Sequence, residues 1–515
     1  MKSLRRAFLG LLMLGGAAAP AVAGWSEART KHFIIYSEQR PDDLKAYAER
    51  LERFDAIVRF MRKMDDPALT DGGKVTIYVL PNVAAVQRLY GQVGSGVLGF
   101  YIPRASGSVA FFASKGTDSE RDPTRITPEH VFQHEYMHHL MLSDWKSGIS
   151  PWLVEGMAEF FGTTEIDRTG AAKIGAPPQT RAYGVRQDIG FNVEQLLSSK
   201  PASNAEERES VYGKGWVLTH MMAFDKSRTG QLDKYLRGLE RGEKPVEAAK
   251  AAFGDLKVLD KDLDKYAVGK FRGMTVSPGP QPAVTIRPLS PGDSAVMNLR
   301  IRSERGVDEK GALDIANDAR RAAASVAPSP FVYGVLAESE YDAKNYAAAI
   351  AATDKALAID PANVQAMTYK ARAMMAQAKA DKSKADWAEI RRLLIRANRA
   401  DTENAEPLWL YYQTFGKAGE TPPKSAVDGL IYALALAPQD RALRLDTVRQ
   451  LLVSDRPEEA GALFGVMVND PHLPIAQQTV LTSVLAKIKS GDSKGALAMM
   501  DEERAKAEKK AAAKG

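Results

Sequence analysis

A helix-closing pattern recurs along the second half of this 515-residue chain at nearly constant spacing. Four copies end in Ala-Pro or Asp-Pro, and proline lacks the backbone N–H that a continuing helix needs. With one degenerate copy, Ala400-Asp401-Thr402, successive copies lie 33 to 41 residues apart. Such a period holds two helices per unit and predicts an all-α stack of helical hairpins. The four proline copies are Val326-Ala327-Pro328, Ile359-Asp360-Pro361, Leu436-Ala437-Pro438 and Asn469-Asp470-Pro471.

The clearest unit, residues 330–361, resembles the tetratricopeptide repeat, whose period is about 34 residues. Thr353 stands where the second helix of that repeat usually has an aromatic residue, and a polar insertion at Lys379–Asp386 accounts for the longest spacing. The resemblance implies an all-α repeat domain at 306–505 that binds a protein partner or a substrate. The residues at the expected packing positions are Tyr333, Leu336, Ala337, Ala349 and Ala356.

The first half of the chain, from Trp25 to about Met274, mixes strand and helix patterns. An apolar stripe at helical spacing predicts a helix at Asp42–Lys63. Thr127-Pro128-Glu129 predicts the start of another helix, because a hydroxyl cap, a first-turn proline and an acid suit a helix N-terminus. Strands followed by a run of helices indicate an α+β domain, placed at 24–275. β-branched and aromatic runs predict strands at 32–36, 74–79, 99–102 and 108–114.

The two halves are separated by a Pro/Gly-rich stretch, predicted as a linker or cross-over at 276–305, and a flexible basic tail is predicted at 506–515. Ser108–Ala113 is open to two interpretations. It is either the edge strand beside the site, where a substrate pairs its backbone, or an ordinary apolar strand.

The first 23 residues have the pattern of a signal peptide. Lys2, Arg5 and Arg6 precede an apolar run of 13 residues, too short for a membrane-spanning helix of about 20 residues. The paired arginines are also typical of a twin-arginine signal. We predict cleavage after Ala23 and an exported protein, periplasmic or secreted, with no transmembrane segment left; a retained anchor is the alternative. Cleavage lowers the formal net charge from +6 to +3, too little for a dedicated nucleic-acid surface.

His134-Glu135-Tyr136-Met137-His138 is the most specific chemical motif in the chain. Residues four apart on a helix share a face, so both imidazoles can bind one ion. Glu135, beside them, can take a proton from metal-activated water. The chain contains no cysteine, so any metal must be held by His, Asp or Glu. Zn²⁺ is inferred from these ligand types, although other divalent ions bind similar sites.

A second segment, Trp152–Phe161, supplies the acids that such a site needs. A catalytic zinc ion requires a third protein ligand and keeps one position open. Glu155 is the candidate, because its segment is predicted to form a helix that packs against the first. Glu159, one turn later, is predicted to accept a hydrogen bond from a ligating imidazole and so orient the ring.

These two motifs resemble the gluzincin metallopeptidases, the family that includes thermolysin and aminopeptidase N. There the His-Glu-x-x-His helix is paired with a glutamate ligand inside a Trp-Leu-x-Glu-Gly-x-Ala string, to which Trp152–Glu159 is similar. The resemblance covers residues 30–270 and implies a zincin-like domain with a small mixed sheet and active-site helices. It also implies zinc bound by His134, His138 and Glu155, with Glu135 as the general base.

Val211–Gly215 resembles the aminopeptidase segment whose tyrosine stabilises the tetrahedral intermediate. The resemblance implies that Tyr212 donates its hydroxyl to the developing oxyanion; a core role is the alternative. The chain lacks the Gly-x-Met-Glu-Asn element by which aminopeptidases recognise a free amino terminus, so endopeptidase action is favoured.

Other interpretations of the metal helix stay open. His130 lies on the same stripe and gives an alternative ligand trio with His134 and His138, although their spacing along the helix makes one shared ion strained. The helix can also be purely structural, or part of a degenerate peptidase without turnover. The remaining histidines are predicted to be structural or surface residues: His32, His139, His220 and His472.

The sequence therefore predicts an exported zinc-dependent metallopeptidase that hydrolyses a peptide or protein substrate. The competing prediction is a catalytically inactive, peptidase-like scaffold or adaptor that acts through its repeats. Zinc removal distinguishes them, because only the enzyme needs the ion for its function.

Overall fold

The computed structural model describes residues 24–115, 126–144, 149–181, 185, 191–198, 204–381, 384–468 and 473–512. The predicted signal peptide, the Asn469-Asp470-Pro471 copy of the repeat pattern and His472 lie outside these residues. No helix in the described ranges is long and apolar enough to cross a membrane.

Nine strands lie in the described part of the chain, and six of them form one mixed sheet in the order β4–β5–β3–β2–β1–β9. Strands β2, β3 and β5 are parallel, whereas β4, β1 and β9 each run antiparallel to a neighbour. A second sheet has the order β6–β7–β8. The strands are β1 Ser26–Arg29, β2 Phe33–Ser37, β3 Val75–Leu80, β4 Gly99–Ile102, β5 Val109–Ala113, β6 Glu165–Ile166, β7 Ala172–Ile174, β8 Met274–Val276 and β9 Thr285–Pro288.

The structure decides between the two interpretations of Ser108–Ala113. Ser108–Ala113 is one candidate for the edge strand by sequence, but β5 pairs with β3 on one side and with β4 on the other. The reason is the turn that follows β4: Gly107 adopts a φ of 104°, which favours glycine, and the chain folds back onto the free side of β5. The edge strand on this side of the sheet is therefore β4, and β5 is an interior strand.

One face of the sheet carries the helices that build the site. Its core combines α1 with α3, α4 and α6, and includes Phe33, Phe54, Phe132 and Trp152. Three short 3₁₀ turns also lie in the described ranges, at 71–73, 179–181 and 226–228. The α-helices up to residue 267 are α1 Pro41–Arg62, α2 Val83–Tyr90, α3 Pro128–Asp144, α4 Pro151–Gly162, α5 Val193–Leu197, α6 Ala205–Phe224, α7 Gln231–Glu240, α8 Pro245–Phe253 and α9 Leu256–Ala267.

The second half is an array of helical hairpins in which each helix packs against the next. Alternate helices α10, α12, α14 and α16 also contact one another, so they line one side of the array. Helix α11 ends at the residue before its predicted helix-closing copy, and α13, α15 and α17 end at the first residue of theirs. The helices are α10 Pro291–Arg305, α11 Glu309–Ser325, α12 Pro330–Asp342, α13 Tyr346–Ile359, α14 Val364–Ala380, α15 Trp387–Ala400, α16 Ala405–Ala418, α17 Lys424–Leu436, α18 Arg441–Val453, α19 Pro457–Val468, α20 Ile475–Lys489 and α21 Ser493–Ala512.

The junction between the halves is more structured than a linker. Within the predicted linker 276–305, β9 adds to the sheet beside β1, and α10 begins the helical array at Pro291 rather than at 306. Met297 and Ile301 of α10 are buried among Tyr36, Tyr78 and other residues on the second face of the sheet. Helix α21 continues through Ala512, so it includes residues 506–512 of the predicted tail. The array thus covers the sheet face that lies opposite the site.

Candidate metal centre

Two consecutive helices bring the predicted ligands together. Helix α3 begins as predicted: the Thr127 hydroxyl accepts a hydrogen bond from the His130 N–H at 3.2 Å, and Pro128 occupies the first turn. Helix α4 begins with Pro151 and is almost entirely buried. Because α4 packs against α3 on one side and α6 on the other, its acids face the imidazoles of α3.

His134, His138 and Glu155 meet in one cluster. The two imidazole Nε2 atoms lie 3.1 Å apart, and the Glu155 carboxylate, which is 0% exposed, has its oxygens 3.4 Å from His134 Nε2 and 3.7 Å from His138 Nε2. Four ligand atoms about 2.1 Å from a tetrahedral zinc ion are about 3.4 Å from one another. Oε2 of Glu155 is the oxygen near His134 and Oε1 the oxygen near His138, so each imidazole has one Glu155 oxygen at about the distance expected between two ligands of one ion.

The charges around the cluster also fit a divalent cation. Glu135, Glu155 and Glu159 all act electrostatically on His134, and Arg181 is a neighbouring cation. With both imidazoles neutral, as metal ligands must be, these groups leave a formal charge of −2. Burial alone would lower the pKa of His134, but Glu155 and the other acids outweigh burial and raise the pKa to about 9. The residues present therefore suit Zn²⁺ in both spacing and charge.

Glu159 lies behind His134, at its other ring nitrogen. Its Oε1 is 3.5 Å from His134 Nδ1 and accepts a hydrogen bond from Arg181 Nε at 2.8 Å. Arg181, which also lies 3.4 Å from Glu209, was not singled out from the sequence. No periodic signal marks it, because it belongs to a 3₁₀ turn 22 residues after its partner Glu159.

Tyr212 is placed at the same cluster by α6. Its ring stacks on the His134 ring at a centroid distance of 6.3 Å, and the Arg181 guanidinium lies 4.3 Å from the centre of its ring. Burial, and next the negative charge of Glu155, raises the pKa of Tyr212 well above its ordinary value. The hydroxyl therefore stays protonated and can donate a hydrogen bond.

Two glycines allow α4 and α6 to approach closely. A Cβ atom on Gly156 would lie 2.5 Å from the Gly215 carbonyl oxygen, and a Cβ atom on Gly215 would lie 2.6 Å from the Trp152 carbonyl oxygen. Glu155 precedes the first glycine and Tyr212 lies one turn before the second. The close contact therefore fixes the distance between these two side chains.

A cavity of 590 Å³ opens beside the cluster. Its lining includes Glu135, His134 and Tyr212 together with Glu165 and the segment 176–181. Its size suits several residues of an extended peptide or a compact organic ligand. The side chains with proton-transfer or hydrogen-bonding capacity thus face a space that a substrate can enter.

The remaining described histidines lie outside the ligand cluster. His130 lines the cavity outside the ligand cluster, and burial lowers its pKa. His139 stacks on Tyr136, and burial lowers its pKa to about 4. Burial also lowers the pKa of His220 to about 4, and its ring nitrogens bond to Tyr266 Oη and to the carbonyl oxygens of Gly175 and Arg272.

A second cluster of possible ligands surrounds His32 but is already balanced in charge. His32 Nδ1 lies 2.8 Å from Glu52 Oε2 and 3.3 Å from Asp55 Oδ2, and Nε2 lies 2.9 Å from Asp66 Oδ1. Burial opposes protonation, but the bond to Glu52 and the nearby acids raise the pKa of His32. The cluster is an ion-pair network with three cations and three anions. These are His32, Lys31, Arg59, Glu52, Asp55 and Asp66.

The chain was compared with known protein families, curated proteins and solved structures, and only solved structures gave matches. No protein-family model and no curated protein matches the chain. The crystal structure of TTC0263, a thermophilic TPR protein in Thermus thermophilus, is 17% identical with a TM-score of 0.31, and the match covers 37% of this chain and 97% of that one. The crystal structure of the yeast Tom70 is 14% identical with a TM-score of 0.26, covering 61% of this chain and 69% of that one. Scores this low carry no argument about function.

Proposed function

We propose that this chain is a zinc-dependent metallopeptidase whose ion is held by His134, His138 and Glu155. The observation that carries the proposal is the set of ligand-atom separations, 3.1, 3.4 and 3.7 Å, around a fully buried carboxylate. Two imidazoles and one carboxylate leave a tetrahedral ion one open position, which a catalytic site requires.

When bound, a zinc ion supplies a Lewis acid that polarises a carbonyl group and lowers the pKa of water towards about 7. Glu135 accepts the proton of the attacking water and delivers it to the leaving amine. Tyr212 keeps its proton and donates a hydrogen bond to the oxyanion that develops on the scissile carbonyl. Glu159, anchored by Arg181, holds the His134 ring in the orientation that a ligand needs.

The proposed substrate is a peptide or protein cut internally. The cavity of 590 Å³ is large enough for several residues of an extended peptide, and it is lined by Glu135, Tyr212 and the segment 176–181. An exported location is part of the proposal and rests on residues 1–23 alone, as predicted from their sequence.

The proposal is tested by turnover of a peptide library with zinc-loaded protein. Glu135→Gln keeps the shape of the side chain but cannot accept a proton, so we expect zinc binding to persist and turnover to fall by at least about a thousandfold. Glu165→Gln is the matched control, because Glu165 lines the same cavity and is exposed. Equal turnover in Glu135→Gln and in wild type would exclude a peptidase that uses this base.

A second function, protein interaction through the helical repeats, is favoured by the array of paired helices. The two similar solved structures, with TM-scores of 0.31 and 0.26, support neither function. An adaptor would keep its partner after a chelator removes zinc. A peptidase would lose turnover under the same treatment.

A further inference from the structure

The turn that joins β4 to β5 packs against the helical repeats and is hydrogen-bonded to them. Ala105, in this turn, is 4% exposed and packs among apolar side chains of α17 and α18. The Ala105 N–H donates to Asp440 Oδ2 at 2.8 Å, while Asp440 Oδ1 accepts from the Leu443 N–H at 2.8 Å and caps α18. A single carboxylate at the corner between α17 and α18 therefore binds the turn and starts a repeat helix.

A series of hydrogen bonds leads from this corner to the metal-binding helix. Gln439 Nε2 donates to Ser108 Oγ at 3.1 Å, and the Tyr101 hydroxyl donates to the same oxygen at 2.8 Å. The Tyr101 oxygen is also 2.8 Å from His139 Nδ1. His139 directly follows the predicted ligand His138 in α3. The four side chains thus join the repeats to α3 without a break.

The groups in this series are enclosed, so water competes weakly for their hydrogen bonds. Ser108 is 2% exposed and Gln439 is 8% exposed. Burial raises the pKa of Tyr101, so its hydroxyl keeps its proton. Loss of one such bond leaves a buried polar group unsatisfied and costs more than loss of an exposed one.

We propose that the corner between α17 and α18 positions the metal-binding helix α3 through the series Gln439–Ser108–Tyr101–His139. The inference rests on the proposed metal site and assigns these four side chains a positioning role, because they act through α3 rather than on substrate. The same series connects the helical repeats to the proposed metal site.

The test uses the full chain with Tyr101→Phe, Gln439→Met and the double variant. Tyr101→Phe removes both hydrogen bonds of the Tyr101 hydroxyl, Gln439→Met removes the one to Ser108, and each keeps most of the side-chain volume. In metal-free protein, we expect the amides of α3 to exchange hydrogen about tenfold faster in each single variant. Because both substitutions break the same series, the double variant should exchange no faster than the single ones. In cobalt(II)-loaded protein, both variants should shift the visible absorption bands of the ion.

Tyr412→Phe is the matched control. It removes the bond from Tyr412 to Gln450 Oε1, 2.8 Å long and confined to the repeats, so exchange in α3 and the cobalt spectrum should stay as in wild type. Unchanged exchange in both test variants would overturn the proposal, as would an additive effect of about a hundredfold in the double variant. If the chain binds no cobalt, the proposed function fails, and the exchange of metal-free protein alone then decides the positioning role.

Discussion

At the scale of single residues, the site depends on close neighbours with different tasks. Glu155 is a predicted ligand with a fully buried carboxylate, and the next residue, Gly156, allows the helix that carries it to touch α6. Gly215 makes the reciprocal contact, one turn after Tyr212. Residues with a proposed chemical role therefore lie within three positions of the glycines that allow α4 and α6 to pack closely.

Gly156→Ala should destabilise the chain by about 1–3 kcal/mol, because the new methyl group meets a carbonyl oxygen of α6 that cannot move freely. Urea unfolding measures the loss. The control is Gly162→Ala on the same helix, where a Cβ atom would sit at an ordinary contact distance of 3.5 Å from His134 Cβ. Equal stability of the two variants would show that α4 and α6 are not held at this distance.

His32→Gln should reveal the protonated state of His32 through the pH dependence of stability. The folded-state pKa of His32 is raised, so its stabilisation is complete below an unfolded-state pKa of about 6.5 and is lost as the pH rises through the folded value. We expect the variant to lose about 3 kcal/mol of unfolding free energy at pH 6 and less at pH 9. A difference that grows with pH would contradict the assigned ion pair.

His220→Gln is the control, because folding lowers the pKa of His220 whereas it raises the pKa of His32. The pKa of His220 falls to about 4 on folding, so its protonation destabilises the folded state below about pH 6.5. The unfolding free-energy difference between this variant and wild type should therefore stay constant between pH 7 and pH 9.

At the scale of elements, helix starts place the ligands. Thr127 and Pro128 begin α3 so that His134 and His138 share the face turned towards α4. Pro151 begins α4 so that Glu155 lies one turn inside it, and Glu159 one turn further along. The residues that begin each helix are adjacent in sequence. Together, the two helix starts determine which side chains of α3 and α4 face each other at the proposed metal site.

Thr127→Ala should remove the cap of α3 and cost about 1 kcal/mol of unfolding free energy. Thr127→Ser keeps the oxygen that accepts from the His130 N–H and should remain within a few tenths of a kcal/mol of wild type. Thermal or urea unfolding of the two variants provides the measurement. A serine variant as unstable as the alanine variant would show that the cap contributes nothing.

At the scale of the whole molecule, the helical array is part of the core of the first half. Met297 and Ile301 of α10 cover the second face of the sheet, and the β4–β5 turn inserts into the repeats. The two halves therefore share buried surface at more than one place. We expect them to lose structure together.

Ile301→Ala should cost about 2–5 kcal/mol, because it opens a cavity in a core shared by both halves. Hydrogen exchange followed by mass spectrometry should detect faster opening in β3 of the sheet and in α10 alike. Ile359→Ala is the control: Ile359 is 49% exposed, and its loss should change stability by less than about 0.5 kcal/mol. Faster exchange in α10 alone would mean that the halves open independently.

The sequence predicts features with a local signal and misses those without one. The four-residue spacing of His134 and His138 and the cap at Thr127 place α3, and the helix-closing pattern places the ends of four repeat helices. Strand β9 has no such signal, because it is four residues long and gains its partner β1 from the far end of the chain. Arg181 was missed for the same reason, since its role follows from contacts with Glu159 and Tyr212 that only folding creates.

The coordination of zinc is tested most directly by X-ray absorption at the zinc edge, measured on the full chain and on Glu155→Gln and His138→Ala. We predict one zinc ion per wild-type chain, with nitrogen and oxygen neighbours at about 2.0–2.1 Å and the scattering of two imidazoles. Each substitution should weaken binding at least about tenfold. Zinc retained equally by all three proteins, or by none of them, would contradict a metal centre built from these residues.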